Sequence, residues 1–129
     1  MTDPGVLIRG IADGINQELD RVAPGWETAA VVFEFEDDNA SGNFGYAFLS
    51  GGRKPFALDD AELEASVSAL RGMMPMGTRF WIRGLFQLFR GVNALPMQFE
   101  FDRPDRWAIS PSSVDRDIEA LRPQPIPGM

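Results

Sequence analysis

The side chains best equipped for chemistry in this sequence are carboxylates. Glu34, Glu36, Asp37 and Asp38 sit together inside the stretch AAVVFEFEDDNASGNFGYAF (29–48). Asp59, Asp60 and Glu62 form a second group, and Glu100 with Asp102 a third. Two carboxylates facing across a cleft can carry general acid–base or glycoside-hydrolysis chemistry when burial raises one of them. Here they alternate with apolar residues, which places them on a solvated outer face. Asp37, Asn39, Ser41 and Gly42 match positions 1, 3, 5 and 6 of a calcium loop, but the bidentate Glu needed at position 12 is Phe48. The chain has no histidine and no cysteine, so serine–histidine catalysis, thiol nucleophiles and the usual zinc sites are absent. Neither GxxxxGK[ST] nor GxGxxG occurs. The sequence therefore predicts no catalytic residues, no metal and no cofactor. It reads as a protein that is not an enzyme.

Charge supplies a second function for the same residues. The net charge is −7, unevenly spread: residues 1–65 hold 13 acids and 4 bases, and residues 66–95 hold 4 arginines and no acid. Phosphate contacts need clustered Lys and Arg, so nucleic acid is excluded as the expected partner. A basic protein is favoured, because an acidic surface accelerates its approach. The same charge also keeps a protein soluble, a role that needs no partner.

The elements that must position these groups follow from periodicity. Val31, Phe33 and Phe35 alternate with Val32, Glu34 and Glu36, the period of a strand with one buried face. Residues 37–42, DDNASG, favour a turn. Phe44, Tyr46 and Phe48 then alternate with smaller residues. The expectation is an antiparallel hairpin with an aromatic inner face and an acidic outer rim. Upstream, Asp3 and Pro4 open a helix whose stripe is Leu7, Ile11, Ile15 and Leu19. Gly10 and Gly14 lie on one edge of it, where they weaken the helix but admit a close neighbour. Trp26 is expected to plug the core. Downstream, 53–58 reads as a short edge strand, since Pro55 cannot donate to a ladder. Asp59-Asp60 caps a second helix with Leu63, Val67 and Leu70 inward, and there the helix dipole alone favours acids.

The segment 78–90 fits two periods. As a helix it groups Ile82, Leu85, Phe86 and Phe89; as a strand it opposes Phe80, Ile82, Phe86 and Leu88 to Arg79 and Arg83. Helix is the preferred reading, with Gly91 as its terminator. The stretch 95–102 alternates again, with Met97, Phe99 and Phe101 inward. A turn at 103–106 should return the chain as a strand at Trp107–Ile109 and complete a second hairpin. Ser112 or Ser113 then caps a last helix carrying Val114, Ile118 and Leu121.

Grouped strands with separate helices describe an α+β fold: an antiparallel sheet of about five strands with helices packed on one face. Residues 1–122 are expected to form a single domain, and 123–129 a flexible C-terminal tail. No apolar run is long enough to cross a bilayer. No basic-then-apolar N-terminal segment marks a signal peptide, and the lack of cysteine suits a reducing compartment. A cytoplasmic protein is expected, with no membrane partner, monomeric or weakly homodimeric.

The order of these elements resembles the YezG-like immunity (antitoxin) proteins, small acidic bacterial domains. The resemblance lies in the amphipathic first helix closing before Trp26, the acidic hairpin and the midsection rich in Leu and Phe. It continues through the Pro96-Met97-Gln98-Phe99-Glu100-Phe101 strand and Trp107 ahead of a terminal helix. It covers most of the chain and implies binding and neutralisation of a cognate toxin, often a nuclease, with no catalytic residues to carry over. The partner-binding residues would be Glu34, Glu36, Asp37, Asp38, Asp59, Asp60 and Glu62. The alternative is a small-molecule or peptide-binding domain with a pocket between the sheet and the Phe80–Phe89 segment, where Arg79 or Arg83 holds an anion.

Overall fold

Strand β1 (Trp26–Glu36) is the middle of the sheet, and its composition explains why. Ala, Val and Phe occupy both of its faces, so it is stable only when covered on both sides. The computed structural model describes residues 3–36, 39–74, 77–92 and 95–124. Around β1 it places α1 (Pro4–Val22), β2 (Asn39–Leu49), β3 (Gly52–Phe56), α2 (Ala61–Gly72), β4 (Arg83–Phe89), β5 (Met97–Glu100) and α3 (Val114–Leu121). The strands run β3-β2-β1-β4-β5, and every neighbouring pair is antiparallel. The expected α+β class with a five-stranded antiparallel sheet is what the protein has. No helix among the described residues is long and apolar enough to cross a membrane.

The larger core lies on one sheet face. Ala29, Val31, Phe33 and Phe35 of β1 meet Ile11, Ile15 and Leu19 of α1 and Leu63, Val67 and Leu70 of α2 there. Trp26 is fully buried in this core and donates its indole N–H to Asp20 Oδ1 at 2.9 Å. Asp3 caps α1 by accepting from the Gly5 amide, and Asp60 caps α2 by accepting from the amides of Glu62 and Leu63. The opposite face is also covered. Ala30, Val32, Phe48 and Leu85 cluster with Ile118 and Leu121 of α3. The first two helices thus share one face as expected, and the third adds cover on the other.

Three local expectations are corrected. The segment expected as a helix at 78–90 contains β4, which pairs with β1 from Thr28↔Phe89 to Glu34↔Arg83. A strand with neighbours on both edges and cover on both faces carries no alternation of its own, so its sequence held no decisive period. Gly84 marks the strand: a Cβ there would lie 2.8 Å from the Trp81 ring. Second, Trp107–Ile109 is not a returning strand. Trp107 has φ 66°, in the left-handed region, and the second hairpin is β4 with β5. Third, Phe44, Tyr46 and Phe48 register opposite Val32, Ala30 and Thr28, so they lie on the face away from Phe33 and Phe35. The hairpin's aromatic residues are divided between two cores instead of lining one.

Candidate functional site: an acidic groove between two helices

On α1, Gly10, Asp13, Gly14 and Gln17 recur at the spacing of one helix face. Gly14 lets α2 approach closely, for a Cβ at that position would sit 3.2 Å from Leu63 Cδ1. The two helices leave a surface groove of about 320 Å³, lined by those four residues and by Asp60, Glu62, Leu63 and Ser66 of α2 and its cap. Three carboxylates border it and, among the described residues, no cationic side chain does. Asp13 also borders a second hollow, of about 640 Å³, with Arg9, Ala12, Asn16, Gly91 and Val92.

The structure gathers only some of the residues singled out by sequence. Asp60 and Glu62 line the groove, with Asp59 exposed one residue before the cap. Glu36 is exposed at the last position of β1 and does not line it. Glu34 is half-buried, its Oε2 3.4 Å from Arg83 Nε, and so is engaged within the fold. Asp37 and Asp38, with the start of the calcium-like loop, lie outside the described residues. Asp13 was missed by sequence reasoning. Its signal is the i, i+3, i+4, i+7 recurrence on α1, in which Asp13 and Gln17 share the edge of Gly10 and Gly14 that admits a close neighbour.

Among the described residues, Asp13, Glu36, Asp59, Asp60, Glu62 and Glu64 make no ion pair. Most of the protein's cations, by contrast, have partners within the fold. Arg83 is buried and donates to the carbonyls of Phe35, Ile82 and Pro104. Arg71 is buried too, donating to the Trp81 carbonyl at 2.6 Å with its guanidinium over the Phe35 and Phe80 rings. Arg79 pairs with Asp102, Arg53 with Asp115, Arg21 with Glu18, Arg106 with Glu100 and Arg122 with Glu119. The segment expected to face the sheet across a ligand pocket is itself β4, so no such interval exists. Arg83, one of the two anion-holding candidates, is buried within the fold.

The carboxylates with perturbed titration lie elsewhere. Glu100 is held below the usual range, first by the Asp102 amide and further by Arg106 and the Arg103 amide. Asp117 is lowered by the Ser110 amide and the Ser113 hydroxyl, and Glu119 by Arg122. All three shifts favour the charged form, which opposes a general-acid role. Glu34 and Glu100 do share a sheet face, but β4 separates them, with Arg83 in register with both. Among the described residues, no group of three or more acids is arranged to hold a metal ion. No protein-family model matches the chain, and no curated protein matches its sequence.

Proposed function

We propose that this protein is a binding protein of the immunity, or antitoxin, type, acting in the cytoplasm as a monomer or weak homodimer. It neutralises a basic cognate toxin, of the nuclease class, through its acidic surface. One observation carries the reading: the groove acids Asp13, Asp60 and Glu62 are without ion pairs among the described residues, while most of the protein's cations have partners within the fold. Charge of one sign left uncompensated around a concave surface raises the local concentration of a cationic partner and speeds docking. A nuclease must be basic where it holds nucleic acid, so it presents the complementary surface. Glu36 and Asp59, both exposed and unpaired among the described residues, extend the acidic surface beyond the groove.

The test is co-expression with the protein encoded by the adjacent reading frame. The two should co-purify, and the toxicity of that protein should be suppressed. Replacing Asp13 and Glu62 by Lys should abolish protection while the variant remains folded, since neither residue caps a helix. Protection that survives both charge reversals would exclude the groove from the interface.

A further inference from the structure

The second sheet face is closed by the chain's last described stretch, residues 103–124, whose helix α3, like α1 and α2, joins the sheet without a backbone–backbone hydrogen bond but buries fewer apolar side chains than either. Within it, the backbone turns close on themselves: Arg106 N–H to Arg103, Ala108 to Asp105, Ser113 to Ser110, Asp117 to Ser113 and Arg122 to Glu119. Among the described residues, no backbone–backbone hydrogen bond joins this stretch to the sheet. Its polar anchors to the sheet all involve side chains. Arg83 Nε donates to the Pro104 carbonyl at 2.9 Å, and Gln87 Nε2 donates to the Leu121 carbonyl at 3.0 Å. Arg53 on β3 pairs with Asp115, Glu100 on β5 pairs with Arg106, and the Arg122 guanidinium lies 4.2 Å from the Phe48 ring centroid. Glu100 also accepts from the Arg103 amide.

The apolar contact is narrow as well. Helix α3 is eight residues long, too short to persist alone, and it buries Ile118 and Leu121, with Trp107 and Ile109 half-covered beside them. The face beneath, Ala30, Val32, Phe48 and Leu85, is fully or nearly fully buried. The first core, with Trp26, Trp81 and the stripes of α1 and α2, holds the sheet together without any residue of this stretch.

We infer that residues 103–124 form a detachable strap, which lifts from the sheet as a unit while the rest of the fold stays intact and uncovers the apolar face of Ala30, Val32, Phe48 and Leu85. Sub-global opening of this kind is drawn from elements with few buried apolar contacts. Glu100 on β5, held low first by the Asp102 amide and further by the Arg106 guanidinium and the Arg103 amide, fastens the strap to the sheet by charge. Asp117 and Glu119 are held low by contacts inside the strap that keep it together as a unit. The strap is independent of the acidic groove, which lies on the helices of the other face.

Because the chain contains no cysteine, single thiols report the opening directly. Ala29 and Ala30 are adjacent on β1 and both fully buried, but Ala29 faces the first core and Ala30 the strap. At neutral pH, Ala30→Cys should react with a maleimide roughly tenfold or more faster than Ala29→Cys. Arg106→Gln and Arg53→Gln should each speed the first reaction several-fold and leave the second unchanged. Hydrogen exchange on the unaltered chain should show the α3 amides exchanging together, ahead of those of β1. Equal labelling rates for the two thiols, or α3 amides that exchange only in step with β1, would overturn the inference.

Discussion

Arg83 is the residue on which most of the molecule converges. Its guanidinium donates to three carbonyls and lies beside Glu34, so it joins β1, β4 and the Arg103–Trp107 turn. Removing it while keeping the bulk, as in Arg83→Met, takes the guanidinium from Glu34, from the buried Phe35 carbonyl and from the Pro104 carbonyl, while the Ile82 carbonyl still accepts from the Phe35 amide. The cost should be about 3 kcal/mol in urea unfolding. A change below about 0.5 kcal/mol would show that water replaces it. Two glycines make a contrasting pair. A methyl at Gly84 meets the Trp81 ring, which is wedged against Phe35, Phe86 and Phe99. Gly84→Ala should therefore lower stability by about 2 kcal/mol. A methyl at Gly10 meets nothing within 4 Å, and Gly10→Ala should raise stability by about 0.8 kcal/mol through helix propensity. Thermal and urea unfolding of the two variants check both signs.

At the level of elements, what the sequence displayed depended on how each element is covered. Helix α1 buries a distinct stripe of Ile11, Ile15 and Leu19, and β1, though covered on both faces, ends in the alternating Phe33-Glu34-Phe35-Glu36, so both announced their period. Strand β4 is apolar on both sides, so Leu85 and Phe86, neighbours in sequence, serve opposite cores. Nothing in RGLFQLF separates that arrangement from a buried helix. The Trp107 turn depends on a left-handed backbone at a bulky residue, set by packing and not by propensity. The groove was half legible: Asp60 and Glu62 stood out as a cluster and Gly10 with Gly14 as a close-packing edge, but nothing in the sequence of α1 says that α2 is the neighbour that brings Asp13 beside them.

Acid should act first on the strap. Glu100, Asp117 and Glu119 titrate below their ordinary values in the folded protein. Each therefore adds stability that is present above the usual carboxylate range and is lost as pH falls through the lower folded values. The window runs from about pH 4 downward. Trp107 sits in the strap, whereas Trp26 and Trp81 are sealed in the first core. With Trp26 and Trp81 replaced by Phe, acrylamide quenching of Trp107 should rise across that window. Glu100→Gln should raise quenching already at pH 7 and flatten its dependence on acid. Quenching that is flat from pH 7 to pH 2 would contradict the assignment of these contacts.

For the whole molecule, the decisive property is a division of charge. Arg71 and Arg83 are drawn into the fold, where they hold carbonyls and rings, and most of the other cations pair with carboxylates or carbonyls of the chain itself. The α1–α2 groove keeps acids that nothing among the described residues neutralises. Such a surface contributes little to stability: charge reversal at Glu62, in the first turn of α2, should cost no more than about 1 kcal/mol. Its consequence lies in association, where rim charges govern the rate of encounter.

The most direct test is the association rate between this protein and the toxin proposed as its partner, measured by stopped flow from about 50 to about 500 mM salt. The unaltered chain should associate more slowly with each rise in salt. The Asp13→Lys, Glu62→Lys variant should be roughly tenfold slower at low salt, with a shallower dependence. A rate indifferent to salt and equal for both proteins would contradict the account.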